Sequence, residues 1–195
     1  MVNVKDKEIN AICRQIREED LEMIMKWRMM PEITRYMNSD PKLTLEGQKE
    51  WYKKIQASQK DLYWILEVDG VPAGVVSLVD NDGHKVHTGV YIAEKEKRSL
   101  KLTMYLQWNL YRYSFEKLGV NKVCEEVFEG NKGVNRILDM CGSKREGVLR
   151  NHVYKNGTYY DVVMRGVLAQ EWKEIQERYT FDLITFQSKD GKECY

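Results

Sequence analysis

Hydrophobic positions recur with two distinct periods along this chain of 195 residues. Apolar residues spaced three or four apart are typical of helices, whereas alternating or short continuous apolar runs are typical of strands. This criterion predicts strands at residues 12–16, 62–68, 73–79, 86–92, 122–128, 147–154 and 159–168. It predicts helices at residues 21–30, 31–37, 45–55, 102–118, 132–141 and 169–178.

Capping and turn residues mark the ends of several of these elements. Thr44 and Asn131 each precede a helix and carry a side-chain oxygen that suits an N-cap. Asp-Gly at 69–70 and Asn-Gly at 156–157 are tight-turn signals between neighbouring strands. The strand–helix–strand order in residues 86–128 favours one parallel pair within an otherwise antiparallel sheet. We therefore predict an α/β (α+β) fold, with a mixed, mostly antiparallel sheet and helices on both faces.

The length of the chain fits a single domain of residues 1–195. Its core is expected at about residues 12–172, and residues 173–195 are expected to form a C-terminal extension. Residues 181–186 alternate between apolar and polar side chains. This string is expected to add an edge strand, to join a partner subunit in a homodimer, or to cover the core.

Charge and cysteine content narrow the functional class. The 31 basic and 30 acidic side chains almost cancel, which argues against a general binder of nucleic acid or membrane surfaces. No apolar run approaches the ~20 residues needed to span a bilayer, and residues 1–8 lack the apolar segment of a signal peptide. The cysteines match no metal-ligand spacing, so we expect reduced thiols in a cytoplasmic protein without a metal. They are Cys13, Cys124, Cys141 and Cys194.

Several strings resemble the GNAT family of acyl-CoA-dependent N-acyltransferases. Residues 144–161 are similar to the last hairpin of the branch that includes the ribosomal-protein alanine N-acetyltransferases, and residues 122–132 are similar to its preceding strand and helix start. The resemblance covers about residues 14–172. It implies a GNAT-like fold and acetyl transfer from acetyl-CoA, as co-substrate, to a primary amine.

A narrower resemblance concerns the acceptor. Residues 27–37 resemble the bacterial nucleotide-sugar N-acetyltransferases of pseudaminic acid biosynthesis, which acetylate the 4-amino group of a UDP-linked sugar. The resemblance implies a small-molecule substrate and a set of substrate-binding residues. These are Trp27, Arg28, Tyr36, Met37 and Ser77. Trp27 and Met37 are alternatively core residues of two short helices, and acetylation of a protein amino terminus or of a polyamine are alternative functions.

The family's phosphate-binding loop is altered in this chain. The family pattern is Arg/Gln-x-x-Gly-x-Gly/Ala before the long helix, whereas Lys101 and Thr103 stand at the glycine positions here. Cationic and hydroxyl side chains are then expected to bind the pyrophosphate of coenzyme A. The alternative is an ordinary solvated charge run before a helix. The expected phosphate-binding residues are Lys97, Arg98, Ser99, Lys101 and Thr103.

The resemblance also implies contacts with the pantetheine arm. Backbone groups of Val90, Tyr91 and Ile92 are expected to pair with its amides, and Asn131 is expected to bond it while also capping a helix. Leu138 stands where the family usually has a tyrosine that protonates the departing thiolate. Another group or water then performs this step, or the thiolate leaves unassisted. A catalytically degenerate binding protein is the remaining alternative.

Two side chains are candidates for the general base. His87 is on the strand beside the expected cofactor cleft, and imidazole changes its charge between about pH 5 and 8. Glu126 on the neighbouring strand is the alternative base, and its neighbour Glu125 is expected to face the other side of the sheet. Each has a structural alternative, a surface histidine and a buried hydrogen-bonded carboxylate respectively.

Overall fold

The computed structural model describes residues 9–179, 181–188, 191–193 and 195. Residues 1–8, for which we expect no signal peptide, lie outside this part of the chain, as does Cys194. The strands are β1 Ala11–Gln15, β2 Leu62–Val68, β3 Val71–Val79, β4 Lys85–Ile92, β5 Lys122–Phe128, β6 Lys144–Lys155, β7 Thr158–Leu168 and β8 Thr185–Gln187. The helices are α1 Leu21–Arg28, α2 Pro31–Thr34, α3 Leu45–Ala57, α4 Leu100–Arg112, α5 Lys132–Met140 and α6 Ala169–Arg178.

All eight strands form one sheet in the order β6-β7-β5-β4-β3-β2-β1-β8. Neighbouring strands are antiparallel except for β4 with β5 and β1 with β8, which are parallel. The predicted fold class, a mixed and mostly antiparallel sheet with helices, is therefore confirmed. Within the described residues, no helix is long and apolar enough to cross a membrane.

Helices cover both faces of the sheet, and each face has its own hydrophobic core. Adjacent strand residues point to opposite faces, so Ile65 and Leu66 are both fully buried but belong to different cores. The larger core contains Leu106 and Leu110 of α4 together with residues of α6 and the C-terminal extension. The smaller core contains Ile24 of α1 and residues 27 and 33 beside it. The central strands are consequently apolar on both sides, as their sequences predict.

The parallel pair β4–β5 is short. Residues 85–87 pair with residues 122–124, and the two strands then diverge. Strand β4 continues along β3 up to Ile92, while β5 continues along β7 up to Phe128. The sheet is therefore split between its two central strands, and residues 88–92 of β4 have β3 on one side only.

One predicted helix is interrupted. The apolar spacing of residues 102–118 predicts a single helix, but α4 ends at Arg112 and one π-helical turn follows at Tyr113–Lys117. There the amide of Leu118 donates to the carbonyl of Tyr113, five residues back, at 3.1 Å. The Ser114 hydroxyl donates to the carbonyl of Leu110 at 2.7 Å. Such back-bonding by serine competes with the helical ladder and bends helices.

The C-terminal extension adds an edge strand. Strand β8 pairs in parallel with β1, and Ile184 and Phe186 are buried in the larger core, so the edge-strand and core-covering expectations are both confirmed. Phe186 on β8 is 1% exposed and packs edge-to-face on Trp64 at 5.0 Å between ring centroids. The extension therefore completes the larger core.

Candidate active site

A cleft of about 710 Å³ opens where β4 and β5 diverge. One wall consists of α4, β5 and α5, including Thr103, Gln107 and Leu138. The opposite wall consists of α1, α3, the segment of residues 36–43 and the facing side of β2–β4. The cleft therefore reaches through the sheet and connects its two faces.

The edge of β4 forms the floor of the cleft. Residues 88–91, which include Val90 and Tyr91, line it, and their backbone has no strand partner on the β5 side among the described residues. An extended amide-containing chain is able to pair with such an edge in the manner of an added strand. Ile92 lies just beyond the cleft lining, and its carbonyl accepts a hydrogen bond from Nε of Arg98 at 2.8 Å.

The expected phosphate-binding residues are partly committed to other partners. Arg98 also donates to the carbonyl of Ala93 at 2.8 Å, and Lys97 forms an ion pair with Asp69 at 2.9 Å. Only Thr103 of the predicted set lines the cleft. The remaining members are near the start of α4 but outside the lining.

The start of α4 still offers an anion-binding position. The Ser99 hydroxyl caps the helix by accepting from the amide of Leu102 at 3.1 Å, and Thr103 donates to the Ser99 carbonyl at 2.9 Å. Helix N-termini favour phosphate groups through their free amides and their dipole. Lys101 is exposed in the first turn. These residues therefore fit a pyrophosphate, although the side chains at 101 and 103 replace the glycines of the family pattern.

The two candidate bases lie together on the face that carries α1–α3. Nδ1 of His87 is 3.9 Å from Oε1 of Glu126, and their side chains are 24% and 39% exposed. Glu126 lines the cleft, whereas His87 is next to it on β4. Glu126 is partly solvated, so the alternative of a buried carboxylate does not apply to it. Catalysis by either residue remains a prediction.

Glu125 occupies the opposite face, as the alternation along β5 predicts. It is 3% exposed and lines the cleft from the α4 side. Its Oε1 accepts from Tyr111 Oη at 2.5 Å and from Gln107 Nε2 at 2.8 Å, and its Oε2 accepts from the Ser143 hydroxyl. Burial raises the pKa of Glu125 despite these hydrogen bonds. Burial also raises the pKa of Tyr111, and the neighbouring carboxyl of Glu125 adds to this.

This cluster is the part of the site that sequence reasoning missed. Tyr111, on α4, and Ser143, between α5 and β6, stand 14 and 18 residues from Glu125 along the chain. The only signal is a pair of carboxylates, Glu125 and Glu126, in the middle of an apolar strand. One carboxylate of such a pair must face each side of the sheet.

The expected substrate-binding residues divide into two groups. Arg28, Tyr36, Met37 and Ser77 line the cleft. Trp27 does not: it is 4% exposed in the smaller core, and its Nε1 donates to Glu94 at 3.3 Å. The structure therefore places Trp27 as a core residue, the alternative that its apolar helical spacing allows.

Two residues at the ends of α5, Asn131 and Leu138, are expected to lie beside the pantetheine arm and the departing thiolate. The Asn131 side chain accepts from the amide of Val134 at 3.4 Å and lines the cleft, so capping and ligand contact are compatible. Leu138 is 4% exposed and lines the cleft. An aliphatic side chain therefore occupies the wall where the family pattern has a tyrosine.

Comparison with known proteins assigns the family. A sequence model of the acetyltransferase (GNAT) domain matches residues 11–144. The chain belongs to the GNAT family. The uncharacterised N-acetyltransferase YoaA of Bacillus subtilis is 25% identical over 157 residues, 77% of this chain and 88% of YoaA. Acetyltransferase PseH of Campylobacter jejuni is 26% identical over 119 residues, 60% of this chain and 73% of PseH.

A GNAT structure also shares the fold. Spermidine N-acetyltransferase from Vibrio cholerae, solved with CoA and spermine, superposes with a TM-score of 0.79 at 21% identity, over 84% of this chain and 98% of that one. The protein is an N-acetyltransferase, and acetyl-CoA is the acetyl donor of this family.

Proposed function

We propose that this GNAT enzyme acetylates a primary amine of a small molecule, and specifically the 4-amino group of a nucleotide-linked amino sugar. The charge of the cleft carries the proposal. Among the described residues that line it, Arg28 is the only cation, and Glu125 and Glu126 are the only carboxylates. Arg28 forms no ion pair with a carboxylate of the described residues, and its Nη1 donates to Sδ of Met37. Its other N–H groups can therefore bind an anion such as a ligand phosphate.

Aromatic side chains line the cleft on the same side as this cation. Tyr36, Trp51 and Tyr63 line the same wall of the cleft, and the rings of Trp51 and Tyr63 meet edge-to-face at 5.3 Å between centroids. Flat aromatic surfaces stack on nucleobases and sugars, and a neighbouring guanidinium binds phosphate. A nucleotide-linked sugar combines both features. The resemblance of residues 27–37 to nucleotide-sugar N-acetyltransferases supports the same class.

The same charges disfavour a polyamine. A polyamine carries several ammonium groups, and each one that leaves water needs an anionic or hydrogen-bonding partner. Among the described residues that line the cleft, Glu126 is the only carboxylate on the α1–α3 side of the sheet, because Glu125 is buried on the opposite face. Arg28 would in addition repel a cationic substrate.

The cleft also accommodates the chemistry of acetyl transfer. We place the pantetheine arm along the free edge of β4, against Val90 and Asn131, and the pyrophosphate at the start of α4. The acceptor enters from the α1–α3 side and meets His87 and Glu126 there. One of these two groups removes a proton from the substrate ammonium, because only a neutral amine attacks the thioester carbonyl.

The acceptor assignment is tested by measuring thiol release from acetyl-CoA. Purified protein is incubated with acetyl-CoA and, separately, a UDP-linked 4-amino sugar, spermidine, and a peptide with an amino-terminal alanine. We expect thiol release with the UDP sugar. Release with spermidine or with the peptide, but not with the UDP sugar, would contradict the proposal.

Arg28→Gln tests the anion-binding step. The variant should raise KM for the UDP sugar by about tenfold to a hundredfold, since a charge-assisted hydrogen bond contributes about 1.5–3 kcal/mol. It should change KM for acetyl-CoA little. Arg150→Gln is the matched control, because Arg150 is exposed and outside the cleft lining. Equal KM values for the sugar in both variants would remove Arg28 from substrate binding.

A further inference from the structure

Two consecutive residues of β5 place carboxyl groups on opposite sides of the cleft. Glu125 faces α4 and is 3% exposed, whereas Glu126 faces the α1–α3 side, with 39% of its side chain exposed. Acyl transfer to an amine requires a base where the amine loses its proton and an acid where the thiolate departs. In many enzymes one of two neighbouring titratable side chains is buried and the other is solvated, and the two then serve as acid and base respectively.

Burial favours the neutral form of Glu125 and raises its pKa, whereas the hydrogen bonds it accepts favour the carboxylate. From α4 it meets the neutral groups of Gln107 and Tyr111, and after α5 it meets Ser143. Its charged neighbours are Arg165 on β7 and Glu146 on β6, whose effects on the pKa of Glu125 oppose one another.

The positive charge of Arg165 is already compensated. Its guanidinium bonds the Asp139 carboxylate and donates to the Ser143 carbonyl at 2.8 Å. The Cys141 thiol is also nearby, and burial raises its pKa to about 12, so it stays neutral. The largest effect on the pKa of Glu125 comes from burial, which raises it.

We propose that Glu125 is the general acid that protonates the departing thiolate of coenzyme A. Glu125 and Leu138 line the same wall of the cleft, and Leu138 has no proton to give. The Ser143 amide donates to the Leu138 carbonyl at 2.9 Å while its hydroxyl bonds Glu125, so the carboxyl is fixed against this turn. Glu125 therefore supplies the function for which the chain has no tyrosine at position 138.

The proposed step conserves protons and electron pairs. The amine nitrogen forms a bond to the thioester carbon, and the carbon–sulfur bond then breaks with its electron pair moving to sulfur. The base that took the ammonium proton first passes it to water. The sulfur takes the proton of the Glu125 carboxyl, and the nitrogen, which was neutral when it attacked, loses one proton to His87 or Glu126. The resulting Glu125 carboxylate is held by the hydroxyls of Tyr111 and Ser143 until water restores its proton after the products leave.

Glu125→Gln tests the proposal without relying on the sugar assignment. Hydroxylamine serves as the acceptor, because its amine is already neutral at neutral pH and needs no base before it attacks, and the rate without protein is subtracted. Two donors are compared: acetyl-CoA, and acetyl-seleno-CoA, which keeps the whole coenzyme but whose selenolate leaves without protonation. We expect the rate with acetyl-CoA to fall by about 10²-fold or more, as general acids contribute this much, and the rate with acetyl-seleno-CoA to change little.

Two further measurements separate catalysis from a structural role. Calorimetry should show coenzyme A binding to the variant as it binds to the wild type. Infrared spectra at neutral pH should show the carbonyl stretch of a protonated carboxyl group that disappears in Glu125→Gln. Glu177→Gln is the control, because Glu177 is exposed on α6 and outside the cleft lining; it should retain the band and the rate.

Three outcomes would overturn the proposal. The first is an unchanged rate with acetyl-CoA in a folded Glu125→Gln variant that binds coenzyme A. The second is an equal loss with both donors, which would show that Glu125 only positions other groups. The third is the absence of a protonated carboxyl band at neutral pH. Each holds whether or not a nucleotide sugar is the natural acceptor.

Discussion

His87 and Glu126 face the side of the cleft from which we expect the amine to enter. Their separation of 3.9 Å is too long for a hydrogen bond but short enough for both to contact one proton or one bridging water. Glu125, the residue before Glu126 on β5, faces α4 on the other side of the sheet. Because adjacent strand residues face opposite sides of the sheet, Glu126 is on the side where the amine loses its proton and Glu125 is on the side where we place the proton donor.

Removing both candidate bases should affect only acceptors that are protonated in solution. In a double variant, His87→Asn with Glu126→Gln, we expect kcat/KM for an alkylamine substrate to fall by about 10²-fold near neutral pH and to recover partly at high pH, where free amine is abundant. Transfer to hydroxylamine should change little. The pH–rate profiles of the two acceptors provide the measurement, and an equal loss with both would exclude these residues as the base.

The sequence predicts some of these residues better than others. His87 and Glu126 are recognisable because polar groups interrupt apolar strands. Trp27 was predicted at the substrate, but aromatic residues at helical spacing are equally suited to a core, and the structure buries it there. The Glu125 cluster depends on contacts between β5, α4 and residue 143, and no local pattern reports which distant side chains meet.

Strands β4 and β5 illustrate the same limit for whole elements. Their apolar runs and the helix between them predict a parallel pair, and this prediction is confirmed. The early divergence of the pair is not visible in either strand. It follows from how β4 pairs with β3 and β5 with β7, which is a property of the assembled sheet. The cleft, and hence the site, exists only at this level.

The hairpin β6–β7 holds helix α2 at the mouth of the cleft. Lys155, at the end of β6, is 8% exposed. Its ammonium donates to the carbonyls of Thr34 at 2.8 Å and Met37 at 2.9 Å, and Asp40 lies at 3.5 Å. One cation thus satisfies the open carbonyls that follow α2. Because Tyr36 and Met37 line the cleft, this contact positions the acceptor wall.

Lys155→Met should loosen that wall. The substitution keeps most of the aliphatic stem but leaves the carbonyls after α2 without their donor, which we expect to lower the free energy of unfolding by about 2–3 kcal/mol. KM for the acceptor should rise, while KM for acetyl-CoA stays near the wild-type value. Urea denaturation and steady-state kinetics measure the two effects. Lys49→Met, on the exposed side of α3, is the control, and equal stabilities of the two variants would contradict this role.

The buried part of the site affects the stability of the whole molecule. The larger core is closed by α6 and by Phe186 of the extension, and it also surrounds the polar cluster at Glu125. A carboxyl group at 3% exposure remains in the fold only because Gln107, Tyr111 and Ser143 satisfy its oxygens. The stability of the protein should therefore depend on the protonation of Glu125.

Because burial raises the pKa of Glu125 in the folded state, folding is linked to proton uptake at this residue. In the unfolded chain a glutamate has a pKa of about 4.3. Above that pH, and up to the raised pKa, the folded protein binds more protons than the unfolded chain, so the free energy of unfolding falls as pH rises. Glu125→Gln removes this dependence. The stability of the variant relative to the wild type should consequently increase between pH 4 and pH 8, by about 1.4 kcal/mol for each unit by which the pKa is raised. Urea denaturation at both pH values, with Glu177→Gln as control, measures this difference, and a constant difference would show that folding does not raise the pKa of Glu125.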